Sequence, residues 1–345
     1  MSERRSYLDR GIGETRGVVT LDGRPERLIV RRDDDDPRLV LGAKLVARVA
    51  SVEPALATAF LHLGPGAEAI LPFRPEARPV RGQALEIEIR GEARRGKLAV
   101  ARAFGPAEGD PRLISPAPDV AAELLAFAPG TPVEGPPARS MADEAETDAL
   151  ERFHPLPGGG TLAVEPTRAL TAIDVDLGER KGPDAKRVTR QANLTALGMG
   201  ARLLRLKGLG GIVVFDLVGR GHDGTALMAA ARAAFAPDNP GVSIGPVGRF
   251  GTMELSLPRR GRPLAERLCR EDGAPSDRTL AQRLIRRLQA EASASPGDRL
   301  VATCAPPVAE AAARLAILLA DQVGARFSIT SDPVFARERL EVARA

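Results

Sequence analysis

A chain of 345 residues is too long for one compact core, so two or three domains are expected. Its apolar content of 43% is ordinary for a soluble protein, but aromatics make up only 3%, with no Trp and one Tyr, so cores must be built from Leu, Val, Ile and Ala. The 49 Lys and Arg exceed the 45 Asp and Glu, and nearly all of that positive charge is Arg: the lysines are only Lys44, Lys97, Lys181, Lys186 and Lys207. The planar fork of Arg donors suits phosphate. GC-rich coding would produce the same excess, so composition alone hints at a polyanionic partner without establishing one. Two cysteines, Cys269 and Cys304, exclude a disulfide framework and a four-ligand zinc site within one chain. The opening Met-Ser-Glu-Arg-Arg lacks a signal-peptide core, and no apolar run approaches the roughly 20 residues that cross a bilayer. A cytoplasmic protein with no membrane partner is expected.

In chain order, Arg16–Leu21 and Arg27–Arg31 flank Asp22-Gly23, a tight-turn pair, and predict a β-hairpin. The acidic run Asp33–Asp36 reads as a solvated loop. Short β-like segments follow at Ala43–Val49, Ala57–Leu63, Ala69–Leu71, Ala84–Ile89 and Leu98–Ala101, punctuated by Gly and Pro. So many strands in about 60 residues predict a small closed barrel of OB type. Such barrels bind single-stranded nucleic acid on aromatic platforms beside a basic groove. Phe60, Phe73, Arg48, Arg94, Arg95 and Lys97 could supply these, while both Phe side chains fit a barrel core equally well.

Residues 105–155 are rich in Pro, Ala and acid, with helices expected at Val120–Phe127 and around Met141–Phe153, joined by a linker from Pro129-Gly130 to Pro136-Pro137. Beyond them the pattern becomes α/β: strand Leu170–Val175, helix Ala185–Leu206 stopping at Lys207-Gly208, strand Gly211–Leu217, helix Thr225–Phe235, and strands Val242–Val247 and Thr252–Leu257. A smaller α/β unit closes the chain, with helix Thr279–Ala292, strand Leu300–Cys304, helix Val308–Val323 and strand Arg326–Thr330. The expected division is a hairpin and barrel over 1–104, a linker with helices over 105–155, a catalytic unit over 156–262 and a small domain over 263–345.

The strand–helix–strand unit carries the chemistry. A crossover of this kind places its strands parallel in one sheet, which brings Asp174 and Asp216 to the same C-terminal edge, where ligands of open α/β sheets gather. Two bare carboxylates about 5 Å apart repel by roughly 3 kcal/mol at an effective dielectric of 20. Protonation of one, or a bridging cation, must offset that. Hard oxygen donors without a His or Cys pair favour magnesium or manganese. Asp176, two residues on, shares the face of Asp174 if the strand continues. Aspartates at strand ends also cap helices and make turns, so a metal site is one of two readings. His62, His154 and His222 are widely separated and read as structural or surface residues. Gly208-Leu-Gly-Gly211 leads into a strand and is not a dinucleotide fingerprint.

Three ordered blocks sharpen this reading. Leu156-Pro-Gly-Gly-Gly-Thr-Leu-Ala-Val-Glu-Pro-Thr-Arg-Ala-Leu-Thr-Ala-Ile-Asp-Val-Asp176 resembles the catalytic segment of the ribonuclease E/G family. So do Gln191-Ala-Asn-Leu-Thr-Ala196 with Ala201–Asp216, and Arg249-Phe-Gly-Thr-Met-Glu-Leu255. At the front, Ala59-Phe60-Leu-His-Leu-Gly64 and Ala69-Ile-Leu-Pro72 resemble the family's barrel. The resemblance implies an OB-fold barrel, a DNase I-like α/β catalytic domain and a small α/β domain. It implies an endoribonuclease acting on single-stranded RNA, with Mg2+ held by Asp174 and Asp216 and products ending in a 5′ phosphate and a 3′ hydroxyl. Asp174, Asp176 and Asp216 would be catalytic, Asp176 standing where well-studied members carry Asn. Phe60, Arg94 and Lys97 would contact RNA on the barrel, where a second family aromatic falls at Ile70, and the RNA-binding candidates Asn193 and Arg249 would contact phosphate or shape the site.

The resemblance also has gaps. Only about 50 residues separate barrel and catalytic block, where the family carries a 5′-end sensor and a ribonuclease-H-like subdomain, so a short form without either is expected. The family's Cys-x-x-Cys zinc link is here Ala265-Glu-Arg-Leu-Cys-Arg-Glu-Asp-Gly273, with one Cys, and no structural zinc is expected. The segment 274–345 resembles the family's small domain, which supports oligomer contacts and leaves a homo-oligomer open. A non-catalytic RNA-binding regulatory protein is the alternative function.

Overall fold

The computed structural model describes residues 3–179 and 185–345. The chain opens with an antiparallel meander of β1 (Arg4–Gly11), β2 (Glu14–Leu21) and β3 (Arg24–Arg32). The expected hairpin is its second half, turning at Asp22-Gly23, where both residues take positive φ. The first strand, Arg4–Gly11, has only Tyr7, Leu8 and Ile12 nearby as apolar signal and was not foreseen.

The barrel consists of β4 (Lys44–Glu53), β5 (Thr58–His62), β6 (Glu68–Pro72), β7 (Ala84–Gly91) and β8 (Ala99–Pro106). The long β4 closes it: Lys44–Arg48 pair with β7, and Arg48–Glu53 pair with β5. All neighbours run antiparallel except β6 and β8, and β9 (Arg112–Ser115) adds to the start of β4. Alternation explains the closure. Leu45, Ala47 and Val49 of β4 point inward with Leu61, Leu71, Ile87 and Ile89, and the many alanines keep the ring narrow. This closed five-stranded barrel is compatible with the OB fold.

Two helices follow, α1 (Val120–Phe127), capped by Asp119, and α2 (Pro136–Leu150). The second helix was expected around Met141–Phe153. It starts earlier, because proline is tolerated in a first helical turn, and it stops at Glu151, so that Phe153 enters a strand. Both helices pack on the β1–β3 meander. The count of about 50 residues after the barrel therefore understates what assembles there, since three strands arrive from before it. The meander shares its core with the α/β unit and not with the barrel. Val18, Leu28 and Val30 join Ala142, Ala145, Leu197 and Leu204 in one apolar cluster, whereas the barrel encloses its own. The meander Arg4–Arg32 and the barrel thus contribute to different apolar clusters.

The central sheet has the order β10 (Phe153–Pro155), β11 (Thr161–Pro166), β12 (Thr171–Asp176), β13 (Gly211–Asp216), β15 (Thr252–Leu257), β14 (Ser243–Val247). Only β12 and β13 are parallel, joined by α3 (Ala185–Lys207). Helix α4 (Gly224–Phe235) joins α3 on one face. Gly200 of α3 permits the closest approach, since a Cβ there would lie 2.7 Å from the ring of Phe215. The Lys207 ammonium donates to the carbonyls of Ala149 (2.9 Å) and Glu151, tying the end of α3 to the last turn of α2.

After α5 (Leu264–Leu268), the chain ends in α6 (Asp277–Ala294), β16 (Leu300–Cys304), α7 (Pro306–Val323), β17 (Phe327–Ser331) and β18 (Glu341–Arg344), with sheet order β17-β16-β18. Its junction with the meander is ionic and buried. Arg286 of α6 reaches Glu14 and Glu146, while Arg16 bonds Asp9 (2.6 Å), Asp143 (2.8 Å) and Glu146 (3.2 Å). The acidic run is likewise no free loop: Asp35 binds Arg267 (2.8 Å) and Arg278, and Asp36 caps its own turn while gripping Arg38. No described helix is long and apolar enough to cross a membrane.

Candidate active site

Strand register builds the site. Asp174 of β12 is the direct register partner of Asp216 of β13, so the two backbones are one strand spacing apart, about 4.8 Å. Alternation then sorts the neighbours. Ile173, Val175 and Phe215 face the helices and are buried, while Asp174, Asp176 and Asp216 face the other side and are exposed. The row continues across the sheet as Phe153, Ala163, Asp174, Asp216 and Thr252. Among the described residues, no helix covers this face. None of the four principal clefts includes either aspartate in its lining. An open face of this kind suits a long strand-like ligand better than a small one, which needs a concave pocket.

The electrostatics follow from the crowding. Partial burial, then the charges of Asp216 and Asp176, hold the Asp174 carboxyl above its usual range. The donor set is all carboxylate, with no thiolate or imidazole in the row, and a hard divalent cation would relieve the repulsion. In that sense the residues fit the expected metal. They supply two ligands and not three: among the described residues, no group of three His, Cys, Asp or Glu side chains is placed to hold an ion. The Asp176 carboxylate instead accepts the Gly178 amide (3.0 Å). The glycine run fixes that turn. A Cβ on Gly160, at φ +85°, would lie 2.2 Å from the Asp176 carbonyl oxygen.

Asn193, expected to contact phosphate or to shape the site, is 1% exposed, and its amide is spent on both backbone groups of Val218, donating to the carbonyl (3.0 Å) and accepting the N–H (3.1 Å). Its place is beneath the loop that leaves Asp216, which it pins to α3. Arg249 lies at the tip of the β14–β15 turn with its guanidinium 4.6 Å from the Phe250 ring centre. That turn adjoins the site, because the Leu217 amide donates to the Gly251 carbonyl (3.2 Å).

On the barrel, Phe60 is exposed and pairs in register with Ile70, which pairs with Val100, giving an apolar row on the outer surface. Phe73 packs against the barrel core instead. Lys97 is exposed at a turn closed by mutual backbone bonds with Arg94. Arg94 is half-buried beside Arg259, and burial together with that like charge pulls its guanidinium below the ordinary value. Arg48 is engaged by Asp110 (3.3 Å) and the Gly82 carbonyl (3.0 Å). Cys304 is buried in β16, and Cys269 is half-buried after α5, where burial raises its thiol.

Three residues near the carboxylates were given no functional role from sequence. His222 lies against Gly251, with its Nε2 shielded from solvent and unpartnered. Phe153 and Phe250 are 58% and 78% exposed. The signal that could have found the two phenylalanines is the Arg-Phe dipeptide at 152–153 and 249–250.

Fold and site together define a protein with a closed five-stranded, OB-compatible barrel beside an α/β unit whose open sheet face carries paired carboxylates. Residues 139–260 match the model of the Ribonuclease E/G family, which supports membership of that family. It is 32% identical over 171 residues to ribonuclease E of Haemophilus influenzae, an alignment covering 46% of this chain and 18% of that protein. Against ribonuclease E of Escherichia coli K12 it is 34% identical over 121 residues, which is 34% of this chain and 11% of that one. Against ribonuclease G of the same strain it is 26% identical over 212 residues, covering 56% and 42%. The chain thus spans less than half the length of each of these relatives.

Proposed function

We propose that this chain is a magnesium-dependent endoribonuclease of RNA processing or decay that cuts single-stranded RNA at the Asp174–Asp216 edge. The reading rests on one observation: two register-paired carboxylates on adjacent parallel strands, on an uncovered sheet face inside the segment that matches the family. Residues 156–262 would form the nuclease domain, with the DNase I-like arrangement the family resemblance implies. Asp174 and Asp216 would hold the ion, and Mg2+ or Mn2+ bound there supplies an activated water and a polarised phosphate. The residues around it have separate tasks. Asn193 fixes the backbone that leaves Asp216. Asp176, turned into the Gly178 amide, holds the end of β12 in place. Arg249 offers its fork to a phosphate beside the site, while Phe60 and Lys97 engage the strand on the barrel. The products would carry 5′ phosphates.

The test is incubation with an unstructured RNA, with and without magnesium, beside Asp174→Ala and Asp216→Ala. Cleavage by the wild type only with metal, and a loss of about 100-fold or more in each variant, is expected. Equal cleavage by all three proteins would reject the site. A second reading, an RNA-binding regulator without catalysis, is favoured by the absence, among the described residues, of a third placed ligand. RNA binding that falls steeply with salt, with no metal-dependent product, would select it.

A further inference from the structure

Exposed phenylalanine is the clue. The chain has ten Phe and one Tyr, yet Phe60, Phe104, Phe153 and Phe250 stand 37%, 53%, 58% and 78% exposed. Two of them are on the barrel. The other two flank the carboxylate pair: Phe153 is on β10 in the same register row as Asp174, two strand spacings or about 10 Å away, and Phe250 is at the turn that enters β15, two residues before Thr252, the partner of Asp216. Each carries its preceding arginine against the ring, Arg152 at 5.4 Å from the centre and Arg249 at 4.6 Å.

We infer that Phe153 and Phe250 are base-stacking platforms that grip unpaired nucleobases on either side of the bond cut. The inference deepens the ribonuclease reading and rests on it. An aromatic face accepts any base, because every base has a π-face, and an arginine stacked on the ring leaves the opposite face for the ligand. The arginine fork then lies within reach of the backbone phosphate of the same nucleotide. Arg152 is also held by Glu165, which fixes its orientation, whereas Arg249 makes no ion pair among the described residues. The arrangement solves a charge problem as well. The centre of this face is acidic, with Asp174, Asp176, Asp216 and Glu254 exposed, and repels phosphate, so grip must come from its flanks and from groups that bind bases rather than backbone. The ligand class is an extended RNA single strand crossing the sheet roughly along the register row.

The test uses the full chain and a short unstructured RNA carrying 2-aminopurine at successive positions. Quenching is read without divalent metal, cleavage kinetics with magnesium. Phe153→Leu and Phe250→Leu keep the apolar volume and remove the ring. Phe153→Tyr and Phe250→Tyr keep it and control for folding. In the Leu variants, quenching should disappear at one position each, on opposite sides of the cut, and KM should rise about 10-fold with kcat within about twofold. The Tyr variants should match the wild type. Leu variants that bind and cut like an active wild type overturn the inference. So does a change of oligomeric state without a change in RNA affinity, since the face would then be a protein interface. A wild type that makes no product overturns the ribonuclease reading, and stacking is then decided by the quenching alone.

Discussion

On one side of the central sheet, Leu162, Val164, Ile173, Val175, Phe215 and Leu255 disappear beneath α3 and α4. On the other side of the same strands, Ile212 is 52% exposed, Phe153 stands in solvent, and Asp174 and Asp216 sit side by side, neither in an ion pair among the described residues. Every feature of the first face adds stability. Those of the second cost stability, through like charges in register and apolar side chains left wet. Sequences violate local rules where function requires it, so the uncomfortable face is the one to assign a task. The two faces are also coupled, because Phe215 and Asp216 are consecutive, and what packs beneath the sheet sets where the carboxylate stands above it.

The largest expected effect breaks the comparison from the covered side. Phe215 is fully buried, meets Phe235 edge to face at 6.4 Å and lies against Gly200. Phe215→Ala should cost about 3–5 kcal/mol of unfolding free energy, read as a fall in the urea midpoint at constant slope. Activity should fall with it, since β13 loses the support under Asp216. Next is Asp216→Asn on the open side, which separates the faces. Cleavage should drop about 100-fold or more, while the urea midpoint stays level or rises slightly, because a like charge beside Asp174 has been removed. A clear loss of stability in Asp216→Asn would show that the open face is built for packing after all.

Much of this was legible in advance, and the misses have common causes. Helix α1, strand β15 and strand β16 stand where periodicity placed them, and the five barrel strands follow from short alternating runs between Gly and Pro. The pairing of Asp174 with Asp216 came from the handedness and length of one crossover. Strands β1, β9, β10, β11 and β18 were missed because each is short or polar and is held by a partner elsewhere: Phe153 pairs with Ala163 and Glu341 with Thr303. Buried charge was invisible for a different reason. Arg16, Glu14, Glu146 and Arg286 read as surface residues one at a time, and only together do they satisfy one another inside. For Asn193 the sequence left phosphate contact and site shaping both open, because its depth in α3 is a tertiary fact.

The smallest effect concerns the edge of the covered face, where His154 of β10 meets a carboxylate. His154, next to exposed Phe153 but pointing under the sheet, is 3% exposed and meets Asp148 of α2 at 3.1 Å, and Arg202 of α3 meets the same carboxylate at 2.8 Å. Burial would raise the Asp148 carboxyl, but bonds from His154 and Arg202 outweigh it and hold the value at about 2. The sign follows from linkage. A carboxyl titrating lower in the folded state than its free value of 3.8 contributes fully above that value, and the contribution is lost as pH falls towards 2. Because Asp148 is half-buried, solvent reduces the full shift to about 1–2 kcal/mol. Urea midpoints of the wild type should therefore fall between pH 4.5 and 2.5 more steeply than those of Asp148→Asn (both pH values set at about one unit around the titration). Metal-dependent cleavage near neutral pH should be nearly unchanged in that variant if the open face depends only on β12 and β13. If cleavage falls as well, the β10 edge that carries Phe153 is part of the working surface, and the two faces are joined at this edge as well as at Phe215.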